Sequence, residues 1–263
     1  MPTDPSALEW HDEKVLIIGR ASPEPSKKHI ETVCTGGITE SGKILRLYPI
    51  PLRYLDPGSR YRLWTWATFE VQRSASDKRK ESYRVREDSI KVLAQLEDKS
   101  EQFFFLQKAI FPHREALEEL YYKDWTSVGV IEIELLNLYA KPRTKTWEKD
   151  KPYTRQQLMY TERKSLDQLP FEMHIKFRCK NNPSCKSHDS SLIGWQYMEA
   201  FRNFTRKYGS PENAFEVMKH KIHSLFSDKT KNAYALLGTH SRYPVWIVAE
   251  LYFFDRDLPP RLF

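Results

Sequence analysis

The feature that most constrains the fold is a change of hydrophobic period along the chain. The first half reads mainly as β-strands, and within residues 64–71 the side chains fall on two alternate faces with period two. We predict strands at residues 14–20, 30–39, 43–51 and 64–73, with a tight turn at Glu40-Ser41-Gly42. The last third adds apolar residues at helical spacing. The pattern predicts an α+β protein whose β-rich N-terminal unit is a small barrel or curved sheet.

Helical spacing begins after this β-rich start. We predict helices at residues 88–97, 100–111 with Ser100 as the N-cap, and 113–123, followed by a strand at 128–140. The N-terminal unit with its helices should therefore span residues 13–140.

The last third predicts a βααββ unit over residues 171–257. A strand at 172–179 precedes a Cys/His-containing turn, a helix at 191–208 and a second helix opened by Ser210-Pro211. Strands at 232–240 and 245–254 close the unit. Between the two units, residues 141–170 carry more basic than acidic side chains and are interrupted by Pro142 and Pro152, which indicates a basic linker or long loop.

Net charge suggests a class of partner. The 263 residues include 42 Lys and Arg against 35 Asp and Glu, a formal charge of +7. A basic balance favours polyanions, so nucleic acid is the expected partner, although a solvated basic surface is the plain alternative.

The cellular location of the protein is predicted from its apolar runs and its cysteines. The longest apolar runs, such as 245–254, are much shorter than the roughly 20 residues that span a bilayer, and residues 1–12 do not resemble a secretory signal. The three cysteines, Cys34, Cys179 and Cys185, suit a reducing compartment better than a disulfide framework. We therefore expect a cytoplasmic protein without membrane association.

The most specific local motif is Cys179-Lys-Asn-Asn-Pro-Ser-Cys185-Lys-Ser-His188. Two thiolates and an imidazole on one turn can present three ligands to Zn²⁺, the candidate cofactor. The fourth ligand is open: His240 is one candidate, and others are His220 with His223, or Cys34. The plain alternative is two buried thiols and a helix-cap histidine.

A second motif combines basic and aromatic residues. Arginines can neutralise phosphates while exposed rings stack on unpaired bases, so such a combination indicates a nucleic-acid surface. Tryptophans in strands are more often part of a core, and Tyr48-Pro-Ile-Pro51 is also explained as a rigid exit from an edge strand. The residues predicted to contact nucleic acid are Arg46, Arg53, Trp64, Trp66, Arg79, Tyr83 and Arg84.

Two blocks carry a resemblance to a family. The first combines residues 31–39, Arg46-Leu-Tyr-Pro-Ile-Pro51 and Glu81-Ser-Tyr-Arg84; the second combines residues 179–188 with Leu237-Gly-Thr-His240. Together they resemble an uncharacterised family of prokaryotic proteins encoded near genes for phage defence and DNA modification. The resemblance implies a role in such a system and supplies no activity.

Three functions therefore remain open. The first is a nucleic-acid-binding protein, stabilised by zinc, in a prokaryotic defence or nucleic-acid-processing system. The second is a metal-dependent hydrolase or nuclease, which would need water as the fourth ligand. The third is a protein-interaction subunit of a larger complex. No Ser/His/Asp or Cys/His triad can be assembled from the sequence.

Overall fold

The computed structural model describes residues 9–26, 29–143, 166, 168–240 and 243–258. The chain divides into two compact units, and the division falls between Leu96 and Glu97 rather than near residue 140. Residues 97–142 belong to the second unit because their strand pairs with C-terminal strands on both sides. The predicted linker at 141–170 lies mostly outside the described residues.

The first unit is built from seven strands in the described part of the chain. They are β1 (His11–Arg20), β2 (Glu24–Pro25), β3 (Glu31–Thr39), β4 (Ile44–Ile50), β5 (Thr65–Arg73), β6 (Ser82–Val85) and β7 (Lys91–Gln95). Four of them, β1, β3, β4 and β5, were predicted from the sequence. The expected turn between β3 and β4 is also present, with Gly42 at a φ of 94° that glycine adopts without strain.

Five of these strands close into a barrel in the order β1-β3-β4-β6-β5 and back to β1. Closure depends on β1, whose first half pairs with β5 and whose second half pairs with β3. The β4–β6 contact is parallel, and the other four contacts are antiparallel. Strands β2 and β7 extend the barrel through β3 and β5.

Two features of the first barrel fit a closed sheet: a buried apolar core and a close contact between β1 and β3. Phe69, Leu45 and Leu47 are fully buried. At Gly37 a Cβ atom would lie 2.1 Å from Cγ1 of Val15. The close approach of β3 to β1 therefore requires glycine at this position.

The helix predicted at residues 88–97 is absent. A short 3-10 helix, Glu87–Ser89, precedes strand β7, which pairs with β5 from Thr68↔Lys91 to Thr65↔Gln95. Pairing with a neighbouring strand has overridden the local helical pattern.

The second unit combines four helices with five strands in the described residues. They are α1 (Lys99–Leu106), α2 (Arg114–Asp124), β8 (Val128–Pro142), β9 (Phe171–Cys179), β10 (His188–Ser191), α3 (Trp195–Tyr208), α4 (Pro211–Ser227), β11 (Lys231–Thr239) and β12 (Trp246–Asp255). Asp98, not Ser100, caps α1 by accepting a hydrogen bond from the N–H of Glu101. The helix predicted from residue 191 starts four residues later, after β10 ends.

The five strands form a sheet in the order β10-β9-β8-β11-β12. Its two edges meet just after β10, where Leu192 forms a parallel bridge with Val248. Gly194 permits this contact, since a Cβ there would lie 2.6 Å from the carbonyl oxygen of Ala249. The second sheet therefore has the same connectivity as the first barrel, with α3 and α4 inserted between its third and fourth strands.

No helix within the described segments has the length and apolar content needed to cross a bilayer.

Candidate functional site

The Cys/His motif occupies the connection between β9 and β10. Cys179 is the last residue of β9, and His188 is the first of β10. Two successive turns join them: the N–H of Asn182 donates to the carbonyl of Cys179, and the N–H of Cys185 donates to that of Asn182. These turns place both thiols and the imidazole at one point, where Cys179 and Cys185 are buried.

A fourth side chain reaches this point from α2. Helix α2 begins at Arg114 because Nδ1 of His113 accepts a hydrogen bond from the N–H of Ala116. Glu115 lies in its first turn, a position that favours acidic side chains. The ligand atoms of Glu115, Cys179, Cys185 and His188 all lie within 4.8 Å of one another.

The individual distances suit a tetrahedral site. Nε2 of His188 lies 3.0 Å from Oε1 of Glu115 and 3.3 Å from Sγ of Cys185. Sγ of Cys179 lies 3.9 Å from Oε2 of Glu115. Ligand bonds of about 2.0–2.3 Å at tetrahedral angles put neighbouring ligand atoms about 3.3–3.8 Å apart. Small side-chain adjustments would therefore let these four atoms hold one ion.

The surroundings of the two sulfur atoms also suit a metal. The backbone N–H of Arg114 donates to Sγ of Cys179, and the N–H of Cys179 donates to Sγ of Cys185, each at 3.3 Å. Such hydrogen bonds stabilise thiolate ligands. Two sulfur, one nitrogen and one oxygen donor are typical of Zn²⁺ and not of Mg²⁺ or Ca²⁺.

Burial and charge set the protonation of the cluster. Burial raises the pKa of the Cys179 thiol to about 12. Burial also lowers the pKa of His188, and the Arg114 guanidinium lowers it further. For Glu115, burial acts to raise the pKa, but its own backbone hydrogen bond and the charge of His188 outweigh burial and lower it. A metal ion would have to displace protons from the thiols, so its binding would be coupled to proton release.

The structure brings together three of the four predicted metal ligands. His240 does not belong to the four-residue cluster, and its ring stacks on Tyr243 with the centroids 5.5 Å apart. The alternatives His220 and His223 lie on α4, and Cys34 lies in the first unit. Glu115 takes the fourth position, and the sequence did not reveal it because an acidic residue in a first helical turn is ordinary.

The rings predicted to stack on bases are buried. Trp64, Trp66 and Tyr83 expose 7%, 9% and 7% of their surfaces. The ammonium of Lys14 lies 5.1 Å from the Trp66 ring, and that of Lys43 lies 4.8 Å from the Tyr83 ring. These three rings therefore contribute to packing and offer no open face to a base.

Three of the four predicted arginines are paired or buried within the first unit. Arg79 is buried and donates from Nε and Nη2 to the carboxylate of Asp77. Arg53 pairs with Glu31 at 2.6 Å. Arg46 is also buried, and burial lowers its pKa.

Arg84 is exposed, and Lys78 and Lys80 are exposed in the connection between β5 and β6. An exposed ring that the sequence interpretation did not select also lies in this unit: Tyr48 on β4, with 49% of its surface exposed. The feature of the sequence that could have indicated this exposed ring is a tyrosine next to proline near the end of a strand. Lys78, Lys80, Arg84 and Tyr48 are thus exposed side chains of the first unit.

Two family models match the chain. The model described as Domain of unknown function (DUF8758) matches residues 11–107, which contain the first barrel and α1. No curated protein matches the chain. The model described as Domain of unknown function (DUF8757) matches residues 113–261, which is more than half of the 263 residues and includes all four candidate metal ligands. The protein therefore belongs to the DUF8757 family.

Proposed function

We propose that the protein binds nucleic acid through its N-terminal barrel and that Zn²⁺ holds the β9–β10 turn of the second unit. The observation that carries the binding proposal is the strand order of the barrel. Its setting in a prokaryotic defence or nucleic-acid-processing system, in the cytoplasm, remains a prediction from the sequence.

The barrel follows the connectivity of the oligonucleotide/oligosaccharide-binding fold. That fold is a five-stranded Greek-key barrel in which the third and fifth strands are parallel, as β4 and β6 are in this chain. In that fold the binding surface is the face of the second and third strands, bordered by the first and fourth connections. By analogy, the binding surface of this chain would include β3, β4 and the β5–β6 connection. The side chains there must supply the chemistry.

The β5–β6 connection supplies positive charge. The exposed Lys78 and Lys80 flank Arg79, which pairs with Asp77. Arg84 follows on β6. Cations grouped in this way neutralise phosphates and release counterions, which drives binding to nucleic acid.

Salt dependence tests the binding proposal directly. We expect the full chain to bind fluorescein-labelled oligonucleotides with an affinity that falls steeply as salt rises. Changing Lys78 and Lys80 together to Ala should reduce the slope of log affinity against log salt by about one to two. Lys91→Ala, an exposed lysine on β7, serves as the matched control. Absence of binding at low salt would refute the proposal.

The role proposed for zinc is to stabilise the turn. With Glu115 as the fourth ligand the site is closed, as in structural zinc centres, and the ion would stabilise the fold. Stoichiometric zinc in protein purified without chelator would support this role. Loss of the zinc in Cys185→Ser, with Cys34 and Cys179 intact, would identify the site.

One observation favours the hydrolase alternative. Glu115 is hydrogen-bonded to His188 beside two thiols, and a carboxylate next to a Cys/Cys/His-bound zinc acts as a general acid or base when water is the fourth ligand. In that case Glu115→Gln would retain zinc and abolish turnover of nucleotide or nucleic-acid substrates. Loss of zinc in Glu115→Gln would support the structural role instead.

A further inference from the structure

Two exposed side chains of the first barrel, Tyr48 on β4 and Arg84 on β6, directly follow the paired residues of their strands. In the parallel β4–β6 pair, Arg46 lies opposite Ser82 and Leu47 opposite Tyr83. Tyr48 and Arg84 are the next residues along these two strands, just beyond the last pair, and neighbouring strands are about 4.8 Å apart. Both side chains are exposed, whereas Leu47 and Tyr83, on the opposite face, are buried.

The surroundings hold the Tyr48 ring and continue the face on either side. The hydroxyl of Thr32 on β3 donates to Oη of Tyr48 at 3.3 Å. On the other side, Gln72 of β5 lies opposite Arg84. The buried Thr32 therefore holds the ring in place, and the exposed groups are the Tyr48 ring and the Arg84 guanidinium, with the half-buried Gln72 on the far side of Arg84.

We infer that Tyr48 and Arg84 form a contact site for one unpaired nucleotide, with the base stacked on the Tyr48 ring and its phosphate paired with Arg84. The inference rests on the proposed nucleic-acid function and adds a substrate class, single-stranded DNA or RNA. A base inside a duplex cannot expose its π-face to a protein ring, whereas an unpaired base can. The guanidinium beside the ring offers two parallel donors to a phosphate.

The experiment measures binding of the full chain to a fluorescein-labelled oligothymidylate and to a duplex hairpin of equal length. We expect tighter binding to the oligothymidylate. Tyr48→Leu should weaken that binding by roughly tenfold or more, whereas Tyr48→Phe, which keeps the ring, should stay close to wild type. Arg84→Ala should weaken binding and reduce the salt slope by about 0.7.

Two controls separate this site from general effects. Tyr243→Leu removes an exposed ring from the second unit, and Lys91→Ala removes an exposed charge from β7; neither should change affinity for the oligothymidylate. Thermal unfolding of Tyr48→Leu at the wild-type temperature excludes a folding defect as the cause of weaker binding.

The outcomes are distinct. If the wild-type chain binds neither probe at low salt, the proposed nucleic-acid function itself is wrong. If the wild-type chain binds but Tyr48→Leu binds the oligothymidylate equally well, or if the wild-type chain prefers the hairpin, nucleic-acid binding stands and the Tyr48–Arg84 site is refuted.

Discussion

At the scale of single residues, Glu115 would decide what kind of metal centre the cluster could form. Its carboxylate contacts His188, Cys179 and Asn182, so it is placed to complete a four-ligand site. If it is a ligand, Glu115→Ala should weaken zinc binding by roughly 100-fold or more, since even residues outside the ligand shell change affinity 10- to 100-fold. Competition with a zinc chelator measures this change.

Glu118→Ala provides the control for this prediction, because Glu118 lies one turn further along α2 and pairs with Arg114 at 3.4 Å. It should leave zinc affinity within a few-fold of wild type. Equal affinities for wild type and Glu115→Ala would mean that the two cysteines and His188 hold the ion without this carboxylate.

Asp77 gives the first unit a pH-dependent contribution to stability. Burial acts to raise its pKa, but hydrogen bonds from Arg79 and Ser82 outweigh burial and lower the pKa from 3.8 to about 2. A carboxyl whose pKa is lowered by folding stabilises the fold above pH 4, and the contribution disappears as pH falls from 4 towards 2.

We therefore expect Asp77→Asn to be less stable than wild type at pH 6, by about 1 kcal/mol after allowing for partial exposure of the pair. The difference should shrink as the pH approaches 2. Urea unfolding of both proteins across this range measures it. A difference that stays constant with pH would show that the loss comes from packing and not from the charge.

At the scale of elements, the packing of α2 against β8 positions Glu115. Gly129 on β8 makes this packing close: a Cβ would lie 2.6 Å from both Cδ2 of Leu117 and Cδ2 of Phe111. Gly129→Ala should therefore push α2 outward and destabilise the unit by about 1–3 kcal/mol, with weaker zinc binding as a second effect.

Gly58→Ala is the matched control, because nothing lies within 4 Å of a Cβ at that position. It should change stability by less than about 0.5 kcal/mol. Chemical unfolding of the two variants compares them. If Gly129→Ala unfolded at the wild-type denaturant concentration, α2 would have room to move, and the position of Glu115 would not depend on this contact.

Elements with their own periodicity were predictable from sequence. Strands β1, β3, β4 and β5 and helix α2 follow patterns contained within each segment. Strand β7 was missed because its conformation depends on pairing with β5. The same limit applies to the site: Cys179, Cys185 and His188 are close in sequence, whereas Glu115 joins them only through the packing of α2. Burial of Trp64 and Trp66 depends on closure of the barrel, which alternation along one strand does not reveal.

At the scale of the whole molecule, the two units share a connectivity that the sequence does not display. Each has three strands in antiparallel succession, then a parallel contact between the third strand and the fifth. Residues 51–64 connect the third and fourth strands in the first unit, and α3 and α4 connect them in the second. Topology depends on which strands pair, so two sequences with different loops and core residues can share it.

The units also differ in what stabilises them, and metal removal should separate their stabilities. All four candidate ligands lie in the second unit, so a bound ion would stabilise that unit by RT ln(1 + [L]/Kd), about 4 kcal/mol at a thousandfold excess over Kd. Treating the full chain with a strong zinc chelator should accelerate amide hydrogen exchange in α2, β9 and β10. Exchange in β1, β3 and β5, whose amides are paired within the first barrel, should stay unchanged. Equal acceleration of exchange in both units would mean that they unfold as one cooperative body. No acceleration in either unit would mean that the cluster binds no ion that stabilises the fold.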